Sequence, residues 1–211
     1  MSTEQVIMAA AEAEFMEKGF AATKTTAIAR RAGVTHAMLH YYFRTKENLF
    51  DQVFRKKLQL MAESFYMVFD QDIPFLEKIR RGVTMHFDFL AANPRLPLFV
   101  LREIVDNPGR EESVREVLLP VFSSAVARLQ TILDAEIARG GVAPVTALEV
   151  TLNMVSMNVF AFASLPLTMM LSGTAASERE RFLETRKEQI IQQVLARLTT
   201  PGGGGGDNAL K

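Results

Sequence analysis

The chain has 211 residues with no cysteine and no tryptophan, and its 24 basic residues balance 24 acidic ones. That length accommodates a small domain and a larger body, and the missing cysteine excludes disulfides and thiolate chemistry. The start Met1-Ser-Thr-Glu-Gln5 lacks the basic n-region of a secretory signal, so a cytoplasmic location is expected.

Neither sustained two-residue alternation nor an Asn-Gly or Asp-Gly turn occurs, which predicts an all-α fold. Ile7, Ala11 and Phe15 repeat at i+4 and define a first helix, with Gly19 as its stop and Phe20 folding back onto Phe15. Ile28, Ala29 and Ala32 line one face of a short second helix. Gly33 follows and can take the positive φ that ends a helix without a Cβ penalty. Thr35 is a good N-cap for a third helix, with Leu39, Tyr42 and Phe43 as its apolar face. Two helices joined by the turn Gly33-Val34-Thr35 make a helix-turn-helix, whose second helix presents its N-terminal residues to a major groove.

Charge supports a DNA-facing end. Between Lys18 and Lys46 lie Lys24, Arg30, Arg31 and Arg44 and no acidic residue. Residues 1–60 carry nine basic and six acidic side chains, and the remainder is net negative by the same amount. A neutral chain that gathers its positive charge around one motif looks built to face phosphates. Thr45 should cap a fourth helix with Glu47 in its first turn, yet Lys46 opposes the helix dipole there at a cost of roughly 0.3–1 kcal/mol. A DNA phosphate would favour that lysine.

The fourth helix is expected from Lys46 to about Phe69, and Pro74 suits the start of a fifth that ends near Ala92. A sixth spans about Leu96 to Val105, and a seventh runs from Glu111 to Arg139, kinked or restarted at Pro120. Pro144 opens a helix to about Leu171, bent at Pro166, and the last runs from Ser177 to Leu198. No charge occurs between Glu149 and Glu178. Because that run contains Asn153, Asn158, Thr151, Ser156, Ser164 and Pro166, it reads as a helix buried on all sides rather than a membrane span. The five-glycine tail within residues 201–211 has nothing to bury and is expected to be disordered.

The residues Ile7-Met-Ala-Ala-Ala11, Phe15-x-x-x-Gly19-Phe20, Thr23, Ile28-Ala29, Ala32-Gly33-Val34-Thr35, Leu39, Tyr42-Phe43 and Lys46-Glu-Asn-Leu-Phe50 together resemble the DNA-binding domain of the TetR family of bacterial transcriptional regulators. The resemblance covers about the first 60 residues. It implies a helix-turn-helix domain over 1–61 and a helical ligand-binding and dimerisation domain over 62–200. Carried over by position, it makes Thr25, Thr35, His36, Ala37, Met38, His40, Tyr41, Tyr42 and Lys46 the DNA contacts. Family members usually have glycine at the position of Ala37 and tyrosine at that of His40. Ala37 offers a methyl group to a thymine methyl, and a phosphate contact from His40 would depend on pH.

The second domain is rich in Met and Phe, which line adaptable apolar walls. Met85, Phe89, Phe99, Phe122, Met154 and Met157 are candidate lining residues for a hydrophobic effector, with His86, Arg102, Asn153 and Asn158 as candidate polar anchors. Phe87, Phe160 and Met169 belong to the same set, and for any one residue a plain core role is the simpler reading. Catalytic motifs are missing: there is no phosphate loop, nucleophile elbow or His-Glu-x-x-His. His36 and His40 are spaced i, i+4 but have no third ligand nearby, so neither metal nor cofactor is expected. The expectation is a non-enzymatic, homodimeric regulator, most simply a repressor, that binds a palindromic duplex operator and is released by a hydrophobic small molecule. The alternative is a small-molecule-binding protein with weakened or lost operator recognition.

Overall fold

A computed structural model describes residues 2–63, 72–107 and 109–199. Among these residues the regular structure is helical throughout, as expected from the sequence. The chain divides into two compact units, 1–63 with 93–120, and 64–92 with 121–211.

The first unit begins with α1 (Thr3–Ala22), which Ser2 opens through a reciprocal capping box with Gln5. Gly19 breaks α1 at φ 75°, ψ 172°, a positive-φ conformation open essentially to glycine alone, and a final turn continues to Ala22. The Phe15–Phe20 contact forms nonetheless, with ring centroids 6.3 Å apart. Next come α2 (Thr25–Ala32) and α3 (His36–Phe43), hinged on Gly33 at φ 67°. α4 (Lys46–Glu63) follows, and Thr45 Oγ1 caps it by accepting from the Asn48 amide. The continuation of this helix toward Phe69 lies outside the described residues.

The core of this unit is apolar and aromatic. Ile7, Phe15, Ile28, Leu39, Leu49, Phe50, Phe54 and Leu58 are buried. α6 (Leu96–Asp106) adds Leu96 and Phe99 to it, and the Phe99 ring lies 5.7 Å from Phe50 and 5.8 Å from Phe54. The first part of α7 (Arg110–Ala138) joins through Arg55, whose Nη2 meets Glu116 at 2.7 Å. Sequence reasoning assigns residues 62–200 to a second domain. By packing, residues 93–120 belong with the N-terminal helices, because Leu96 and Phe99 complete their core.

The second unit contains α5 (Phe75–Ala92), the rest of α7, α8 (Ala147–Ala163), α9 (Leu165–Leu171) and α10 (Arg179–Thr199). Its core draws Ile79, Val83, Phe87 and Leu90 from α5 and Leu129 and Leu133 from α7. From α10 it draws Leu183, Ile190, Ile191, Val194 and Leu198, the stripe that helical periodicity predicts. α7 continues as one helix through Pro120, so of the kink or restart expected there no restart occurs.

The helix of the charge-free run starts at Ala147, capped by Thr146, rather than at Pro144, and it turns by 72° at the break before Pro166, where a bend was expected. It is also not buried all round: Leu148, Leu152, Phe160, Leu167, Met170 and Leu171 are exposed in the single chain. One side packs on α5 and α10, and the other is apolar but uncovered.

Candidate nucleic-acid interface

The turn between α2 and α3 is built locally. Thr35 Oγ1 accepts from the Met38 amide at 3.2 Å and starts α3, and the Gly33 and Val34 amides close α2 onto Arg30 and Ala29 carbonyls. Leu39 and Phe43 are each 1% exposed and fix which side of α3 faces inward. Ala29 is buried beneath, where a larger residue would hold the helices apart.

The outward side of α3 is therefore set by its inward side. Thr35, His36, Ala37, Met38, His40, Tyr41 and Tyr42 are all exposed on it, Tyr41 at 73%. Tyr42, grouped by periodicity with the apolar face, is 41% exposed and stands edge-on to Tyr41. Thr25, at the start of α2, meets His36 Nε2 through its hydroxyl at 2.9 Å. The His36 and His40 rings are edge to face, with centroids 4.9 Å apart. This face carries hydroxyls, imidazoles, phenols and two apolar groups, the repertoire that reads base edges and thymine methyls.

The surrounding charge is narrower than the sequence implies. Glu14 is buried on α1 and takes hydrogen bonds from Lys18 and from Arg31 Nη1, the latter at 3.0 Å. These two cations hold its carboxyl below the usual range. Arg31 also lies 3.6 Å from Glu17. Two of the six basic residues are thus spent on internal pairing, because α1 and α2 pack closely enough for residues 14 and 31 to meet. Lys24, Arg30 and Arg44 are exposed and form no ion pair among the described residues.

Lys46 has an intramolecular seat. Its Nζ donates to the Ala21 carbonyl at 3.4 Å and lies 4.4 Å from the Phe20 ring centroid. A cation over an aromatic face is attracted to it, so this contact offsets part of the dipole penalty. Arg44, counted in the sequence only among the basic residues around the motif, has an unusual backbone. It sits between α3 and α4 at φ 63°, ψ −60°, with the Thr45 amide donating to the Phe43 carbonyl. That is a strained γ-turn, and no pattern in the sequence marks it, because an arginine at positive φ is uncommon.

The candidate effector residues separate into groups. Phe99 is core and Arg102 is exposed, both in the first unit. Periodicity marks Phe99 as apolar without saying which core it enters. In the second unit Met85, Phe89, Phe122, Met154 and Met157 are half-buried, and His86 and Asn158 are fully buried together. Asn153 and Met157 instead border a cleft of about 220 Å³ between α8 and α10, with Val150, Gln193, Val194 and Arg197.

Residues 7–53 match the profile of the bacterial regulatory proteins, tetR family. Over these residues the chain is similar to the DNA-binding domain of the TetR family of transcriptional regulators. Its relatives include the uncharacterized HTH-type transcriptional regulator YhgD of Bacillus subtilis (strain 168), 23% identical over 67% of this chain and 72% of that protein. The fatty acid metabolism regulator protein of the same organism is 26% identical over 54% of this chain, which spans 59% of that protein's length. A solved structure of the transcriptional regulator FadR from Bacillus subtilis in complex with stearoyl-CoA shares the fold. It has a TM-score of 0.65 and 17% identity, covering 92% of this chain and 98% of that one. TetR regulators are not enzymes, and they bind DNA through this helix-turn-helix.

Proposed function

We propose that this chain is a homodimeric repressor that holds a palindromic operator and releases it when a hydrophobic molecule enters the second unit. The observation that carries the DNA side is the exposed face of α3. Seven consecutive or near-consecutive groups, Thr35 to Tyr42, are turned outward by the burial of Leu39 and Phe43. Thr25, Lys24, Arg30, Arg44 and Lys46 surround it as phosphate partners.

Dimerisation is supported by the apolar side of α8 and α9. Leu148 and Leu152 lie one turn apart, and with Phe160, Leu167, Met170 and Leu171 they form more exposed apolar surface than a cytoplasmic monomer tolerates well. A second copy covers it in this reading, and a two-fold dimer suits a palindrome with half-sites roughly 34–36 Å apart. The likeness to a fatty acid metabolism regulator and to a fold neighbour solved with stearoyl-CoA supports a hydrophobic effector, as do the Met and Phe side chains of the second unit.

The test is selection of binding sites from random duplex DNA by the full chain at moderate salt. The expected result is enrichment of a pseudo-palindrome. A folded dimer that enriches no sequence overturns the operator reading.

A further inference from the structure

The second unit buries a polar pair whose hydrogen bonding is incomplete. Asn158 on α8 is 0% exposed and His86 on α5 is 1% exposed. The Asn158 Nδ2 group donates to the Val83 carbonyl at 3.2 Å and to His86 Nδ1 at 3.0 Å. This fixes the amide orientation, since a carbonyl only accepts and only the nitrogen can face it. It also fixes the tautomer of His86: Nδ1 accepts, so the ring proton is on Nε2.

Both amide hydrogens of Asn158 are therefore used, and its Oδ1 points elsewhere. That oxygen is buried and accepts no hydrogen bond among the described residues. A buried acceptor left without a donor keeps its full desolvation penalty. The same face of α8 carries Met154, Ala161 and Phe162, none of which supplies a donor from its side chain. Linking α8 to α5 does not require the oxygen.

We infer that Asn158 Oδ1 is the anchor for a hydrogen-bond donor on the effector, which makes the effector a neutral, apolar molecule carrying a hydroxyl or an amide N–H. The inference rests on the ligand-responsive reading above. Charge decides the class. A carboxylate offers only acceptors to an acceptor. An ammonium would be buried with no counter-ion, since α8 carries no charge after Glu149 and His86 is held neutral by burial. A thioester or methyl ester has no donor at all.

The test uses matched probes on the full chain by calorimetry: n-decanol against its methyl ether, decanamide against its N,N-dimethyl derivative, and decanoate. The donor-bearing member of each pair is expected to bind about tenfold tighter, and decanoate weakest. In Asn158→Leu, which keeps the branched shape without the polar atoms, the preference should vanish. Equal binding within both pairs, failure of every probe to bind, or a preference that survives in Asn158→Leu overturns the inference. If Asn158→Leu does not fold, the two pairs on the unmodified chain decide. Operator binding without any probe is measured on the same preparation. Its loss contradicts the regulator reading, whereas its persistence beside equal probe binding contradicts only the donor anchor.

Discussion

Arg44 pays for its position with backbone strain. At φ 63°, ψ −60° a non-glycine residue stores on the order of 1–3 kcal/mol, and such residues persist where function selects them. Arg44→Gly should therefore raise stability by about 1 kcal/mol in urea unfolding while weakening operator affinity about tenfold, through loss of a phosphate contact. An unchanged affinity would make the arginine incidental. Lys46 poses the opposite question, because the Ala21 carbonyl and the Phe20 ring already hold it. Lys46→Ala should weaken binding to all duplexes alike and lower the salt slope by about one. A purely structural lysine would change the melting temperature and leave the slope alone. These two residues mark the limit of sequence reading at this scale. Gly33 and Thr35 were legible because their roles depend on neighbours within three residues. The Glu14–Arg31 pair and the Arg44 turn depend on how helices pack, which local spacing does not encode.

Among the elements, α6 does what its sequence does not announce. Glu103 is buried on it and accepts from the Phe20 backbone amide, just past the break at Gly19, and from Asn107 Nδ2 at 3.1 Å. Burial raises its carboxyl pKa, so the contact is held at some electrostatic cost. It ties α6 to the end of α1, against which the Lys46 side chain rests. Glu103→Ala leaves a helix-end amide without its acceptor and should destabilise the chain by about 1–3 kcal/mol in urea unfolding. Operator affinity should fall with it, while probe binding in the second unit stays. Loss of neither stability nor affinity would show that α6 does not brace the DNA-binding helices. The helices themselves were legible: α3, α4, α5, α7 and α8 each start just after a Thr, a Pro or a Gly. Their partners were not, because α6 has an apolar stripe that would fit either core, and only the aromatic packing of Phe99 on Phe50 and Phe54 assigns it.

For the molecule as a whole, buried polar groups and connectivity set the response to pH and ligand. His86 has its pKa lowered to about 4 by burial, against about 6.5 in the unfolded chain. The unfolded chain then binds the extra proton first as pH falls. Stability from this residue is complete above about pH 6.5 and is lost on the way to about pH 4, by about 3 kcal/mol. Melting of His86→Gln should lack that part of the pH dependence, and an identical profile for both proteins would refute it. Ligand response requires that effector and operator prefer different states, with a differential affinity for each. The chain passes between the two units three times, after residues 63, 92 and 120, so a change in the second unit has covalent routes to the helix-turn-helix. Spin labels on exposed positions of α2 in the two copies of a dimer should therefore report a changed head-to-head distance when a binding probe is added. The operator should dissociate over the same concentration range. Release at an unchanged distance would remove the two-state picture and point to ordering within each head as the route by which the effector acts.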